Sequence, residues 1–174
     1  MTSPALFLDR DGVINVNHGH VHKIDNFDFI DGIFDLVKTA NDLNMPVIIV
    51  TNQGGIGRGL YTEDVFHNLM AWVVERFNKN GAKIDKVYFC PYHPEHGVGD
   101  YKRPSKNRKP EPGMILEAVK DFDIDLLRSV MIGDKPTDIM AGLAAGVGTL
   151  YLLSETEQHP AAKLISDLSQ VDLF

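Results

Sequence analysis

Ala5-Leu6-Phe7-Leu8-Asp9-Arg10-Asp11-Gly12-Val13 is the stretch on which the fold turns. Four apolar residues in a row are too short for a helix and too uniformly apolar for a strand with one wet face, so they read as a strand covered on both sides. That strand runs directly into two carboxylates. Residues two apart on an extended chain point the same way, so Asp9 and Asp11 can face one pocket, and Gly12 lets the backbone turn away behind them. Moving outward, the same pattern returns. Val47 to Val50 runs into Thr51-Asn52-Gln53-Gly54-Gly55, and Ser129 to Ile132 runs into Gly133-Asp134-Lys135-Pro136-Thr137-Asp138. Lys86 to Phe89 and Thr149 to Leu153 read as two further strands.

Helical stretches lie between these runs. Asp31 to Asn44 carries apolar residues at Ile33, Phe34, Val37, Ala40 and Leu43, and Thr62 opens a second stretch with acidic residues in its first turn. Pro112 to Phe122 and Pro136 to Ala145 each begin with a proline where a helix tolerates one. His159 to Leu168 reads as a final helix without chemistry of its own. Strands alternating with helices imply right-handed crossovers and a three-layer Rossmann-like α/β fold with a mostly parallel central sheet. In such sheets ligands bind outside the carboxyl ends of the strands, which is where the polar signals fall. Pro91 to Pro110 is the one long irregular stretch, and irregular segments of that length are usually functional.

Composition narrows the classes. The 174 residues fit one domain spanning 1–174, long enough to bury a core without metal or disulfide. Cys90 is the only cysteine, which forbids an internal disulfide and points to a reducing compartment. No apolar run approaches a membrane span and no signal-peptide pattern opens the chain, so the expectation is a cytoplasmic protein without a membrane partner. A formal charge of −7 disfavours nucleic acid. A monomer acting on a small molecule is the expectation.

Two carboxylates facing each other are most easily tolerated with a divalent cation between them and Asp134, and an all-oxygen shell favours Mg²⁺. A carboxylate is already ionised at neutral pH, so Asp9 can attack a phosphoryl group and form an aspartyl-phosphate. Asp11 can then protonate the leaving oxygen and later activate water. The Thr51 hydroxyl, backbone N–H groups and Lys109 suit the charge that develops on the equatorial oxygens. Taken singly, an Asp-x-Asp turn, a Gly-rich turn or an Asp near a helix start is more often structural. In series, each at a strand end, they make a site. Lys102 to Lys109 carries five cations in eight residues, which suits capture of an anionic substrate, and Arg58 can add a second phosphate contact. His18, His20 and His22 lack the partners of a metal tract and read as polar loop contacts.

FLDRDGVIN, VTNQGGIGRG, RKPEPGM and IGDKPTD resemble, in order, the four motifs of the haloacid dehalogenase superfamily of phosphatases, with similarity from Ala5 to Leu153. More narrowly, the chain is similar to its heptose 1,7-bisphosphate phosphatase and histidinol-phosphatase branch. The resemblance implies that Asp9 is the nucleophile and Asp11 the acid/base, and that Asp9, the main-chain carbonyl of Asp11 and Asp134 hold Mg²⁺. It places Thr51, Asn52, Gln53 and Gly54 around the phosphate, Arg108 and Lys109 on substrate and transferring phosphate, and Lys135 beside Asp134. Asn17-His18-Gly19-His20 matches the substrate loop, with His20 where the family usually has tyrosine. Spacings of about 40 residues between Asp9 and Thr51 and about 55 between Thr51 and Lys109 leave no room for a separate cap domain.

The family's long loop usually holds a structural zinc through a Cys-x-His pair and a later Cys-x-Cys pair. Here Tyr92 replaces the histidine and Ser105-Lys106-Asn107 stands at the second pair, leaving Cys90 as the one aligned ligand. A rescue set of Cys90, His93, His96 and Asp100 lacks a thiolate pair, so the expectation is a zinc-free loop held by Pro91, Pro94 and Pro104 and by packing of Tyr92 and Tyr101. The function the resemblance implies is Mg²⁺-dependent hydrolysis of the C7 phosphate of a heptose 1,7-bisphosphate in surface-polysaccharide precursor synthesis. A histidinol-phosphate phosphatase, another small sugar-phosphate phosphatase and a non-catalytic phosphate-binding module are the alternatives.

Overall fold

A computed structural model describes residues Met1–Phe174. The inner strands of its sheet bury both faces. On β1 (Leu6–Leu8), Leu6 and Leu8 point into one apolar cluster and Phe7 into the other. β2 (Val47–Asn52) repeats this, with Val47 and Ile49 on the first side and Ile48 and Val50 on the second. The first cluster is closed by helices α1 (Ile33–Asp42) and α3 (Glu63–Lys79), through Val37, Ala40, Phe66, Val73 and Phe77. The second is closed by α4 (Gly113–Phe122) and α5 (Pro136–Ala145), through Met114, Ala118, Ile139 and Ala141. Between β2 and α3 lies only the one-turn helix α2 (Gly54–Gly57).

The remaining strands are β3 (Lys86–Cys90), β4 (Val130–Gly133), β5 (Thr149–Leu153) and β6 (Lys163–Ile165). Their order is β3-β2-β1-β4-β5-β6 and all pairs are parallel. The chain winds outward from β1 through β2 to β3, then returns to β4 on the other side of β1. The crevice between β1 and β4 is therefore the switch point at which such sheets bind ligands. Asp9 and Asp134 stand at its lip. β2 extends two residues past its expected end, so Thr51 and Asn52 are still laddered to Phe89 and Cys90.

The sheet has six strands rather than the five legible in the sequence, and the C-terminal expectation is corrected. In place of a helix over 159–168, β6 pairs with β5 and a 3₁₀ turn follows at Leu168–Gln170. Ile165 and Leu168 are three apart, which imitates helical spacing, but each reaches the first core cluster from a strand and from a turn. The Tyr151 hydroxyl fastens the backbone of Asp172 beyond them. Helix α1 is also shorter than its apolar pattern, because Gly32 and Asn44 adopt φ of 82° and 58° and cut it at both ends. The segments 10–32 and 91–112 hold only 3₁₀ turns at Ile24–Asn26 and Gly99–Tyr101. No helix is long and apolar enough to cross a membrane.

Candidate active site

Asp9 ends β1, and its carboxylate Oδ1 accepts from the Arg10 amide at 2.8 Å and from Lys109 Nζ at 2.9 Å. Lys109 is buried and spends its remaining protons on the Val50 carbonyl at 2.8 Å and on Asp138 Oδ1 at 2.6 Å. Burial pulls the ammonium down, but Asp138 and Asp9 outweigh it and hold Lys109 above the ordinary lysine range. Oxygens of Asp9, Asp134 and Asp138 lie within 4.8 Å of one another, the only group of three acidic, cysteine or histidine ligands that converges in the fold. Asp134 Oδ1 is buried and has no hydrogen-bond partner. Burial first, then Asp9 and Asp138, push the Asp134 carboxyl well above the carboxylate range. Asp9 is raised by burial and by Asp138, against the pull of Lys109.

Two glycines make this convergence possible. A Cβ on Gly12 would come within 2.1 Å of Asp134 Oδ2, and one on Gly133 within 2.2 Å of the Asp138 Cβ. Asp138 was not among the residues singled out in the sequence. Its signal was the last residue of Gly133-Asp134-Lys135-Pro136-Thr137-Asp138, which reads as a helix cap. It is that too: Oδ2 accepts from the Asp134 and Lys135 amides at 3.1 Å each. Both Asp138 oxygens are thus occupied by the protein, whereas Asp134 keeps an orphan. An oxygen-seeking divalent cation fits that donor set, with Asp9 and Asp134 to hold it and Asp138 to anchor Lys109.

Asp11 faces the same crevice by another route. Its Oδ1 accepts from Arg10 Nη2 at 2.7 Å and from Asn15 Nδ2 at 3.1 Å, while Oδ2 meets only Gln53 Nε2 at 3.3 Å. Arg10 is fully buried and also reaches the Val21 carbonyl, which ties the 17–22 loop to the acid. The Asp11 carboxylate is not in the acidic cluster. Asn52 exchanges two hydrogen bonds of 3.0 Å with the backbone of Lys109, which fixes the lysine over Asp9.

These groups border a cavity of about 480 Å³. Of the residues expected from sequence, Asp9, Asp11, Asn17, Gly19, His20, Asn52, Gln53, Gly54, Arg58, Arg108, Lys109 and Lys135 line it. Thr51 is buried beneath the floor, and Asp134 stands behind Gly12. His18 turns outward to Asp28 at 2.7 Å. Tyr61, His93, Thr137 and Asp138 line the cavity without having been foreseen. His93 is held below the ordinary histidine range by burial first, then by Arg108 and His96. The basic cluster divides: Arg108 and Lys109 face the cavity, Lys106 is exposed, and Arg103 lies 4.0 Å over the Tyr92 ring. Tyr92 and Tyr101 pack with ring centroids 5.9 Å apart, as expected. Cys90 is buried, and His93 Nδ1 accepts from the Glu95 and His96 amides.

Comparison with known proteins places this geometry. A family model described as HAD-hydrolase-like matches residues 106–170. The D-glycero-alpha-D-manno-heptose-1,7-bisphosphate 7-phosphatase of Burkholderia mallei is 54% identical over 166 residues, covering 95% of this chain and 88% of the relative. The D-glycero-beta-D-manno-heptose-1,7-bisphosphate 7-phosphatase of Vibrio cholerae is 48% identical over 153 residues, covering 88% and 82%. A Mesorhizobium loti structure described as a HAD-like phosphatase is similar with a TM-score of 0.88 at 37% identity, over 97% of this chain and 82% of that one. The fold is shared with the D,D-heptose 1,7-bisphosphate phosphatase of B. bronchiseptica complexed with magnesium and phosphate, with a TM-score of 0.80 at 23% identity over 95% and 94%.

Proposed function

The chain belongs to the heptose-1,7-bisphosphate 7-phosphatase family of HAD-type hydrolases, and from that premise we propose that it removes the C7 phosphate of a D-glycero-D-manno-heptose 1,7-bisphosphate by way of an aspartyl-phosphate on Asp9. The observation that carries the reading is the buried Asp9, fixed at a strand end by Lys109 and the Arg10 amide, with Asp134 and its orphaned oxygen beside it. Asp9 attacks phosphorus, and the P–O bond to the sugar breaks as its electrons pass to the leaving oxygen. Asp11 Oδ2 gives that oxygen a proton. The same carboxylate then takes a proton from water, which opens the anhydride and releases phosphate and free Asp9. Thr51 and Gln53 sit under the phosphate position, and Lys109 balances the charge that grows there. Asp9, Asp134 and the Asp11 carbonyl would hold Mg²⁺, which supplies a second compensating positive charge when bound.

The substrate is an anion, and Arg58, Arg108, Lys135 and His20 at the cavity rim are suited to the sugar and its distal phosphate. Substrate enclosure falls to the 17–22 loop and the 91–109 loop in a single domain over 1–174. The long loop we propose to be free of zinc: Cys90, His93, His96 and Asp100 do not converge, and the Arg103–Tyr92–Tyr101 stack does the bracing. A monomer in the cytoplasm, without nucleic-acid or membrane partners, accords with the single cysteine and the acidic charge. Phosphate release with Mg²⁺ tests the reading against both anomers of the heptose bisphosphate, fructose 1,6-bisphosphate and histidinol phosphate. A heptose bisphosphate should be turned over with the highest kcat/KM, and preference for histidinol phosphate overturns the assignment.

A further inference from the structure

Tyr61 stands between the active-site cavity and a neighbouring apolar groove of about 950 Å³, and no step above uses it. Its ring is stacked on His22, with centroids 4.7 Å apart and planes 9° from parallel. On its other side lies Gly55, where a Cβ would come within 2.4 Å of the ring. Held there, the phenol donates to Gln53 Oε1 at 2.5 Å. Gln53 is only 2% exposed, and its amide nitrogen donates to Thr51 Oγ1 at 2.8 Å and to Asp11 Oδ2 at 3.3 Å. Burial pushes the Tyr61 hydroxyl up to about 12, so it remains a donor throughout the working range.

The two Asp11 oxygens differ in what surrounds them. Oδ1 already receives two donors, Arg10 and Asn15; Oδ2 has the single long contact from Gln53. Gln53 is therefore the one protein donor that holds the Asp11 carboxylate on its Oδ2 side. The Gln53 amide is nearly symmetric in shape, so its orientation is set by its partners. Reversed, it would set a carbonyl oxygen against the Asp11 carboxylate. The only hydroxyl at the far end of that amide is that of Tyr61.

We propose that Tyr61 is a positioning residue: its hydroxyl locks the Gln53 amide so that the amide hydrogens face Thr51 and Asp11 Oδ2, which fixes the orientation of the Asp11 carboxylate in the cavity. This rests on the phosphatase reading, and the test keeps the two apart. Tyr61→Phe preserves the ring, its stack and its packing while removing the one donor. In ¹⁵N-labelled protein the Gln53 side-chain amide should give a resolved, slowly exchanging proton pair that moves on Asp11→Asn, and Tyr61→Phe should broaden it or speed its exchange. With the heptose bisphosphate, Tyr61→Phe should lower kcat about tenfold and leave KM and Mg²⁺ dependence near the parent values. Tyr61→Leu should raise KM as well, since His22 loses its stack and its Nδ1 holds the His20 carbonyl at 2.7 Å. Unchanged Gln53 signals in Tyr61→Phe, a parent-like kcat, or a loss confined to KM would each overturn the proposal. Should the parent release no phosphate while the Gln53 signals respond as described, the phosphatase reading falls and the lock stands.

Discussion

Asp9→Asn replaces a carboxylate oxygen by an amide nitrogen with almost no change of volume, so under the proposed mechanism turnover should fall by several orders of magnitude with the fold intact. Near-parent turnover would remove Asp9 as nucleophile. Asp11→Asn should leave Mg²⁺ dependence in place, because the carbonyl is untouched, and should alter the pH profile. The raised carboxyls of Asp9 and Asp134 carry a stability consequence. Both bind protons in the native state at a pH where the unfolded chain has lost them, so their contribution is full below the ordinary carboxylate range and is lost as pH rises through their native values. A divalent cation favours the ionised pair. The gain in Tm on adding Mg²⁺ should therefore grow as pH rises through about 6 and on to about 9, and thermal melts with and without the ion check this; a gain independent of pH contradicts it. At this scale the sequence showed Asp9, Asp11 and Asp134 because motif spacing is local. It concealed Asp138 and Tyr61, whose roles depend on Lys109 and Gln53 arriving from elsewhere in the chain.

Elements whose both faces are apolar were legible, since a run such as Val47 to Val50 has few alternatives. β6 was not. Three residues at a sheet edge carry too little pattern, and Ile165 with Leu168 fits a helix equally well. Ile165→Ala should cost about 2 to 4 kcal/mol in denaturant unfolding, as a buried isoleucine does, while Leu164→Ala, at an exposed position, should cost little; equal losses would contradict the strand. The 91–112 segment makes its own test. Protein purified without chelator should contain far less than one zinc per chain, and Arg103→Ala should make the loop more susceptible to protease. A stoichiometric zinc, lost to chelator together with stability, would show that the aromatic stack is not the brace.

Across the whole molecule the net charge of −7 repels anions, so substrate capture depends on the local cations at the cavity rim. A bisphosphate offers those cations a second anionic group, and a charge-assisted arginine contact to it is worth roughly 1.5 kcal/mol at an exposed side chain such as Arg58. Arg58→Ala should lower the ratio of kcat/KM for bisphosphate over monophosphate about tenfold or more, whereas Lys106→Ala, exposed and away from the cavity, should leave it unchanged. An unaltered ratio in Arg58→Ala removes it from distal-phosphate recognition. The sequence by itself determined the alternation of buried strands and helices, the doubly wound sheet and the three motifs at strand ends, because periodicity and turn chemistry act over a few neighbouring residues. Only the tertiary structure decided that Lys109 would be enclosed between Asp9 and Asp138, that Asp134 would pack against Gly12 and keep its other oxygen unpaired, and that His18 would face away. The first two outcomes depend on distances between residues about 30 to 120 apart in the chain, which the packing of two core faces sets and no local pattern encodes.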